Sequence, residues 1–425
     1  MLFNIKAISF IFLYTLIFLF DATVYKYIWN VPDISRLSNT LILLLASLFS
    51  FFTIFILRYN IKIWLLFLIP ALLIYLGYFA NISRNVLVDI GLSSYYGLLI
   101  TPAILLSIPG LYKTKFYSLE MGFKTYYWSI LIMVILGLSD YLLILSGFLS
   151  PALIETSGGF FVSGNFSILL DLEDTIFNDT DYDVAFYAAI LENGSLAMLT
   201  LPAIIYGIFY KKTFGSIILI ISLYLADALG GYLSFALAAL LLPIYFNKVN
   251  IIKSATSKIF FILFYFIIFF IVSFFIVDTL IGYWQSKFIG AQSGWVRVDN
   301  FLLFFQTLPQ IITNNPLGFD LFLNIIDDSS TDFAGTNLGY SMATYLGGIP
   351  ALTGYFIISI TFLYSAIKSF FQRNLSKLHA VSSLSIIVLF PFIVQRAAIF
   401  ETTILILCLS PFVIEFLSKE DKIID

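Results

Sequence analysis

A chain of 425 residues that is 60% hydrophobic and only 11% charged, with a mean hydropathy of +1.00, carries far more apolar surface than one soluble core can bury. That excludes a soluble globule and requires a polytopic membrane protein. The net charge of −3 gives no sign of a nucleic-acid partner; Cys408 and His379, each the only residue of its type, exclude an intrachain disulfide, a cysteine metal cluster and a multi-histidine metal site.

Apolar runs able to cross a hydrocarbon core of about 30 Å recur along the whole chain, and we count about twelve. The first, Ile5 to Phe20, has Lys6 just before its apolar run Ala7 to Phe20 and lacks a small-residue cleavage pattern, so it reads as a span and not as a removed signal. Next come Leu37 to Leu57, Ile63 to Phe79, Val86 to Ile108 and Tyr126 to Phe148. After the acidic stretch 151–183 follow Ala185 to Tyr210, Phe214 to Leu229, Gly231 to Phe246 and Ile259 to Ile281. Beyond the stretch 282–348 lie Ile349 to Phe370, Ala380 to Val394 and Ala397 to Leu417. The boundary at Asp227-Ala228-Leu229-Gly230-Gly231 leaves two alternatives, two spans or one broken segment. The chain has no clear internal repeat and no long linker, so the expectation is a single all-α membrane domain over residues 1–425, with outer loops 151–183 and 282–348.

Charge placement orients this layout, because lysine and arginine near span ends favour the cytoplasmic side. With the N-terminus inside, only Lys26, Arg36, Arg84, Lys287, Arg297 and Arg396 of the 22 basic residues fall outside. The outer stretch 151–183 carries Glu155, Asp171, Glu173, Asp174, Asp179, Asp181 and Asp183 and no basic residue.

Residues 282–348 are the polar, turn-rich exception in an apolar chain, which suggests chemistry at the membrane surface. Arg297 stands just before Phe301-Leu302-Leu303-Phe304-Phe305, at the height of lipid phosphates, where a guanidinium can grip phosphate oxygens with two parallel hydrogen bonds. An ordinary interfacial arginine, paired with a headgroup or with Asp299, accounts for it about equally well. Asp332 is the candidate base for a sugar hydroxyl, set against a plainly solvated loop aspartate. Arg396 with Glu401 reads as a structural ion pair or a substrate contact. Glu192 and Asn193 fall in the sixth span, where a carboxylate is costly. Asp140, Asp227 and Asp278 read as solvated residues near outer span ends, with Asp140 somewhat deeper. Two glycosylation-type triplets, at Asn165 and Asn178, are too common to carry weight; the chain has no P-loop and no dinucleotide fingerprint, and no cofactor is expected.

The order Asn315-Pro316-Leu317-Gly318-Phe319, then Thr336-Asn337, then Tyr345-Leu346-Gly347-Gly348-Ile349 resembles the O-antigen polymerase and ligase family, mainly over Trp295 to Leu363, with a fainter match at Ala228 to Leu233. The resemblance implies a membrane glycosyltransferase similar to the GT-C class, without a metal, acting at the outer face of the bacterial inner membrane. It would polymerise oligosaccharide repeat units carried on undecaprenyl diphosphate, among membrane lipids, with a chain-length regulator left open as a partner. Thr336 stands where ligases usually carry a histidine, which favours polymerase. The family's arginine in a Ser-Arg-Gly-like turn is missing at Ala228-Leu229-Gly230, so Arg396 or Arg84 is expected to take its phosphate role beside Arg297, with Thr336 and Asn337 near the substrate. A lipid-linked oligosaccharide flippase and a ligase are the competing readings.

Overall fold

The computed structural model describes residues 61–84, 101–106, 119–150, 152–156, 159–171, 186, 188, 193–226, 228–249, 339–395, short pieces between 302 and 318, and 405, 407 and 408. The helices described over their length are α1 (Ile61–Arg84), α2 (Leu119–Leu145), α3 (Asn193–Phe209), α4 (Thr213–Leu225), α5 (Leu229–Lys248), α6 (Gly339–Phe371) and α7 (Lys377–Gln395). Among the described residues three segments, Glu120–Leu145, Gly230–Lys248 and Gly347–Phe371, are long and apolar enough to cross a membrane, and four shorter apolar helices accompany them. The chain is therefore a helical protein of membrane-spanning character. Of the expected spans, the first, second and ninth lie outside the described residues.

The chain divides into two compact units. In the first, α2 packs on α3 and α4. Its buried residues Phe123, Tyr127, Ile130, Val134 and Gly137 recur every three or four positions, while Trp128, Ile132, Ile135 and Leu142 point away. That is the two-faced pattern of a helix with protein on one side and lipid on the other. Tyr206 of α3 stacks on Phe123 at 6.4 Å and on Tyr210 at 4.4 Å, and the Tyr126 hydroxyl donates to the Leu199 carbonyl. α3 closes with Lys211 in the left-handed region (φ 57°), its N–H on the Ile208 carbonyl and that of Lys212 on the Gly207 carbonyl.

Helix α3 begins at Asn193, later than the expected sixth span at Ala185. Phe186 is non-helical and donates its N–H to the Leu225 carbonyl at the end of α4, and Ala188 takes φ 50°. Glu192 lies outside the described residues. The ambiguous boundary near Asp227 is a real break, since α4 ends at Leu225 and α5 starts at Leu229. With 13 residues, α4 reaches only about 20 Å.

The stretch 151–183, expected as an outer loop, is partly strand within an otherwise helical fold. It contains strands β1 (Ala152–Thr156), β2 (Gly159–Ser163) and β3 (Ile168–Asp171), paired antiparallel in that order. Ala152 faces Ser163 and Thr156 faces Gly159; β2 meets β3 with a bulge between Val162 and Ser163. Runs of four or five residues rich in Phe, Ile and Val suit short strands, but a search for spans of about 20 residues passes over them.

In the second unit, α1 lies against α6. Its buried residues Phe67, Ala71, Ile74, Tyr78 and Asn81 alternate steps of four and three, and Ile69, Leu72, Leu76 and Phe79 are exposed. Pro70 interrupts the α1 backbone ladder, a lapse that neighbouring helices commonly cover in membrane proteins. At the far end of α6, Lys248 donates to the carbonyls of Phe370 and, at 2.6 Å, Gln372, so an ammonium caps the helix C-terminus. The same corner is held by Tyr245 with Ser369 (3.2 Å) and by the Leu375 N–H on the Lys248 carbonyl (3.3 Å).

Candidate functional site

The candidate site is the junction where α6 breaks. Helix α6 runs from Gly339, but Gly348 takes φ 63° and ψ −158°, a region open to glycine alone. Pro350 follows two residues later; it has no N–H to give the Leu346 carbonyl, and in the first turn of a new helical arm it needs none. The sequence Gly347-Gly348-Ile349-Pro350 thus ends one helix and starts the next.

The break is filled by the turn at Pro316-Leu317-Gly318. Ile349 donates its N–H to the Pro316 carbonyl at 2.9 Å, and a Cβ on Gly348 would collide with backbone atoms of Pro316, Leu317 and Gly318. On the other side, a Cβ on Gly77 of α1 would collide with the Gly347 carbonyl, so the two backbones meet with no side chain between them. Two turns further, a Cβ on Gly354 would stand 2.8 Å from the Pro70 carbonyl. Phe304 packs edge-on against Tyr340 at 4.7 Å, and the Thr344 hydroxyl bonds the Tyr340 carbonyl within the first arm. Burial of Tyr78, Asn81, Phe304 and Tyr340 completes a close-packed joint at this end of the unit. No known protein family and no curated protein matches the chain.

The expected site residues stand as follows. Arg297, Asp332, Thr336, Asn337 and Arg396 lie outside the described residues. Arg84 is the last residue of α1, seven positions beyond Gly77 in the chain. The two motif segments 316–318 and 347–349, quoted for their turn-forming residues, are brought into backbone contact. Helix α6 also begins inside the stretch read as an outer loop, at Gly339. Gly77, Tyr78 and Asn81 escaped the sequence reading; a glycine and a buried amide one turn apart in an apolar run were the available signal. Among the described residues no group of three acidic, histidine or cysteine side chains could hold a metal ion.

Asp140 corrects a second expectation. It is only 2% exposed, not solvated, and its carboxylate accepts the Phe166 N–H and, at 3.2 Å, the Ser167 hydroxyl. A carboxylate near a span end is thus used to hold the β2–β3 turn.

Proposed function

We propose that this chain is a polysaccharide polymerase of the bacterial inner membrane, with about twelve spans, a GT-C-like arrangement and its reactive side outward. The observation that carries the reading is the backbone contact of Pro316-Leu317-Gly318 with Gly347-Gly348-Ile349, the two turn-forming segments that bear the family resemblance. An irregular turn wedged into a broken helix is tolerated at membrane depth only where protein buries it or a cavity receives it, and such places hold polar substrates. Arg84 ends the helix that packs against this joint.

In this reading the donor is a glycan on undecaprenyl diphosphate and the acceptor a hydroxyl of a second lipid-linked repeat unit. The acceptor oxygen forms a bond to the anomeric carbon as the carbon–oxygen bond to diphosphate breaks. Asp332 takes the hydroxyl proton, and Arg297, with Arg84 or Arg396, balances the charge of the departing diphosphate. Thr336 and Asn337 orient the sugars. The broken α6 also favours one second reading, a flippase for the same lipid-linked unit, because discontinuous helices line transporter sites.

A gel of surface polysaccharide from a strain lacking the chain separates the readings. With the intact chain restored a ladder returns; with Arg297→Ala, inserted at normal level, only short glycans are expected. Long chains from that variant remove Arg297 from the role. Loss of every repeat unit in the deletion strain, in place of collapse to a single unit, points to the flippase or to a ligase.

A further inference from the structure

Helix α2 sets the depth of everything attached to it. The apolar segment Glu120–Leu145 has 26 residues, about 39 Å at 1.5 Å per residue, against about 30 Å of hydrocarbon. Lys124, exposed near its start, is the natural marker of one interface. Asp140 is then about 24 Å along the axis, still inside the hydrocarbon, and the far boundary falls near the end of the helix.

The β2–β3 turn meets α2 at that depth. Phe166 N–H and Ser167 hydroxyl both bond the Asp140 carboxylate, and Gly164 N–H bonds the Ser167 carbonyl at 2.9 Å. Gly164 lies so close that a Cβ there would stand 2.6 Å from the Asp140 carboxyl carbon. On α2 beside this contact, the exposed Ser139 and Ser146 hydroxyls bond their own helix, at the Ile135 carbonyl (2.8 Å) and the Leu143 carbonyl (3.1 Å). Apolar side chains continue outward past Asp140, with Leu142 63% and Phe148 85% exposed, and Phe166 at the turn is 37% exposed. Phe148 follows a tight helix end in which Gly147 takes φ 74° and the Phe148 N–H reaches back to the Leu143 carbonyl at 2.9 Å.

We infer that the three-stranded sheet is not a free-standing aqueous loop but an interfacial element, whose β2–β3 turn dips into the membrane leaflet at the C-terminal end of α2. Phe166 and Phe148 are its lipid anchors. A turn entering hydrocarbon needs its backbone donors bonded within the protein, and Asp140 supplies the acceptor. Conversely, an aspartate at that depth is costly unless donors surround it, and the turn supplies two. The partner is the lipid of the membrane that α2 itself crosses, since the turn is continuous with that helix through Asp140. This inference does not depend on the polymerase reading.

Spin labels test it in the full chain with Cys408→Ser, reconstituted in lipid vesicles. Labels at Phe166→Cys and Phe148→Cys are compared with Leu142→Cys on the lipid-facing side of α2 and with Lys212→Cys, exposed in the turn after α3. Collisions with oxygen and with a water-soluble nickel chelate are read at each site. The expected result is loss of most of the nickel collision rate seen at Lys212, with oxygen collisions close to those at Leu142. A nickel rate at Phe166 equal to that at Lys212 overturns the inference. Asp140→Ala should restore nickel access at Phe166 while Phe148 stays protected; unchanged protection at Phe166 would show that Asp140 does not hold the turn. If Asp140→Ala fails to fold, Ser167→Ala, which removes one of the two bonds, carries the same comparison.

Discussion

The backbone N–H of Ile349 is bonded at 2.9 Å to the carbonyl of Pro316, thirty-three positions earlier. Through this bond a Pro-Leu-Gly turn replaces the helix's own next turn, and α6 becomes two arms joined at Gly348. The geometry of α6 rests on whether that joint closes.

Gly348→Ala is expected to be severely destabilising. The backbone region costs a non-glycine residue about 1–3 kcal/mol, and the added methyl also meets the backbone of Pro316 to Gly318. Gly147→Ala is the control, since Gly147 also has positive φ but open space around it, and should cost only about 1 kcal/mol. Thermal unfolding in detergent, read by a thiol-reactive dye, suits this comparison because Cys408 is the only cysteine and is buried.

Gly77→Ala should lower the midpoint more than Gly354→Ala. The first drives a methyl deep into the Gly347 carbonyl, whereas the second meets the Pro70 carbonyl at 2.8 Å, a backbone clash of smaller overlap. Equal midpoints in the same dye assay would show that α1 and α6 separate easily at both positions.

Lys248→Met removes the cation that caps α6 and should destabilise the chain by about 1 kcal/mol, with Lys248→Arg recovering much of the loss. Lys368→Met, on the same helix end but outside this cap, should change stability less.

Orientation can be read with a membrane-impermeant maleimide on intact cells. Lys212→Cys in a Cys408→Ser background should react only after the membrane is opened, because the turn after α3 is expected on the cytoplasmic side. Labelling in intact cells would invert the topology and place the sheet on the inner face.

Legibility differed along the chain for a physical reason. Membrane helices are local objects: each bonds its own backbone and must be apolar over a length set by the bilayer, so α1, α2, α5 and α7 fall close to the runs expected from hydropathy. The turn-forming character of Pro316-Leu317-Gly318 and Gly347-Gly348 was equally visible, because proline and glycine act on their own torsions. Arg297, Asp332, Thr336, Asn337 and Arg396 remain sequence readings, outside the described residues.

Tertiary structure alone decided what those local signals meet. That the turn seats in the break of α6, that Gly77 faces Gly347, and that Asp140 accepts the β2–β3 turn all depend on pairing segments far apart in the chain, which local periodicity does not encode. The sheet was hidden for a related reason: strands of four or five residues gain their stability from partners across the ladder, so their existence is a property of the pairing.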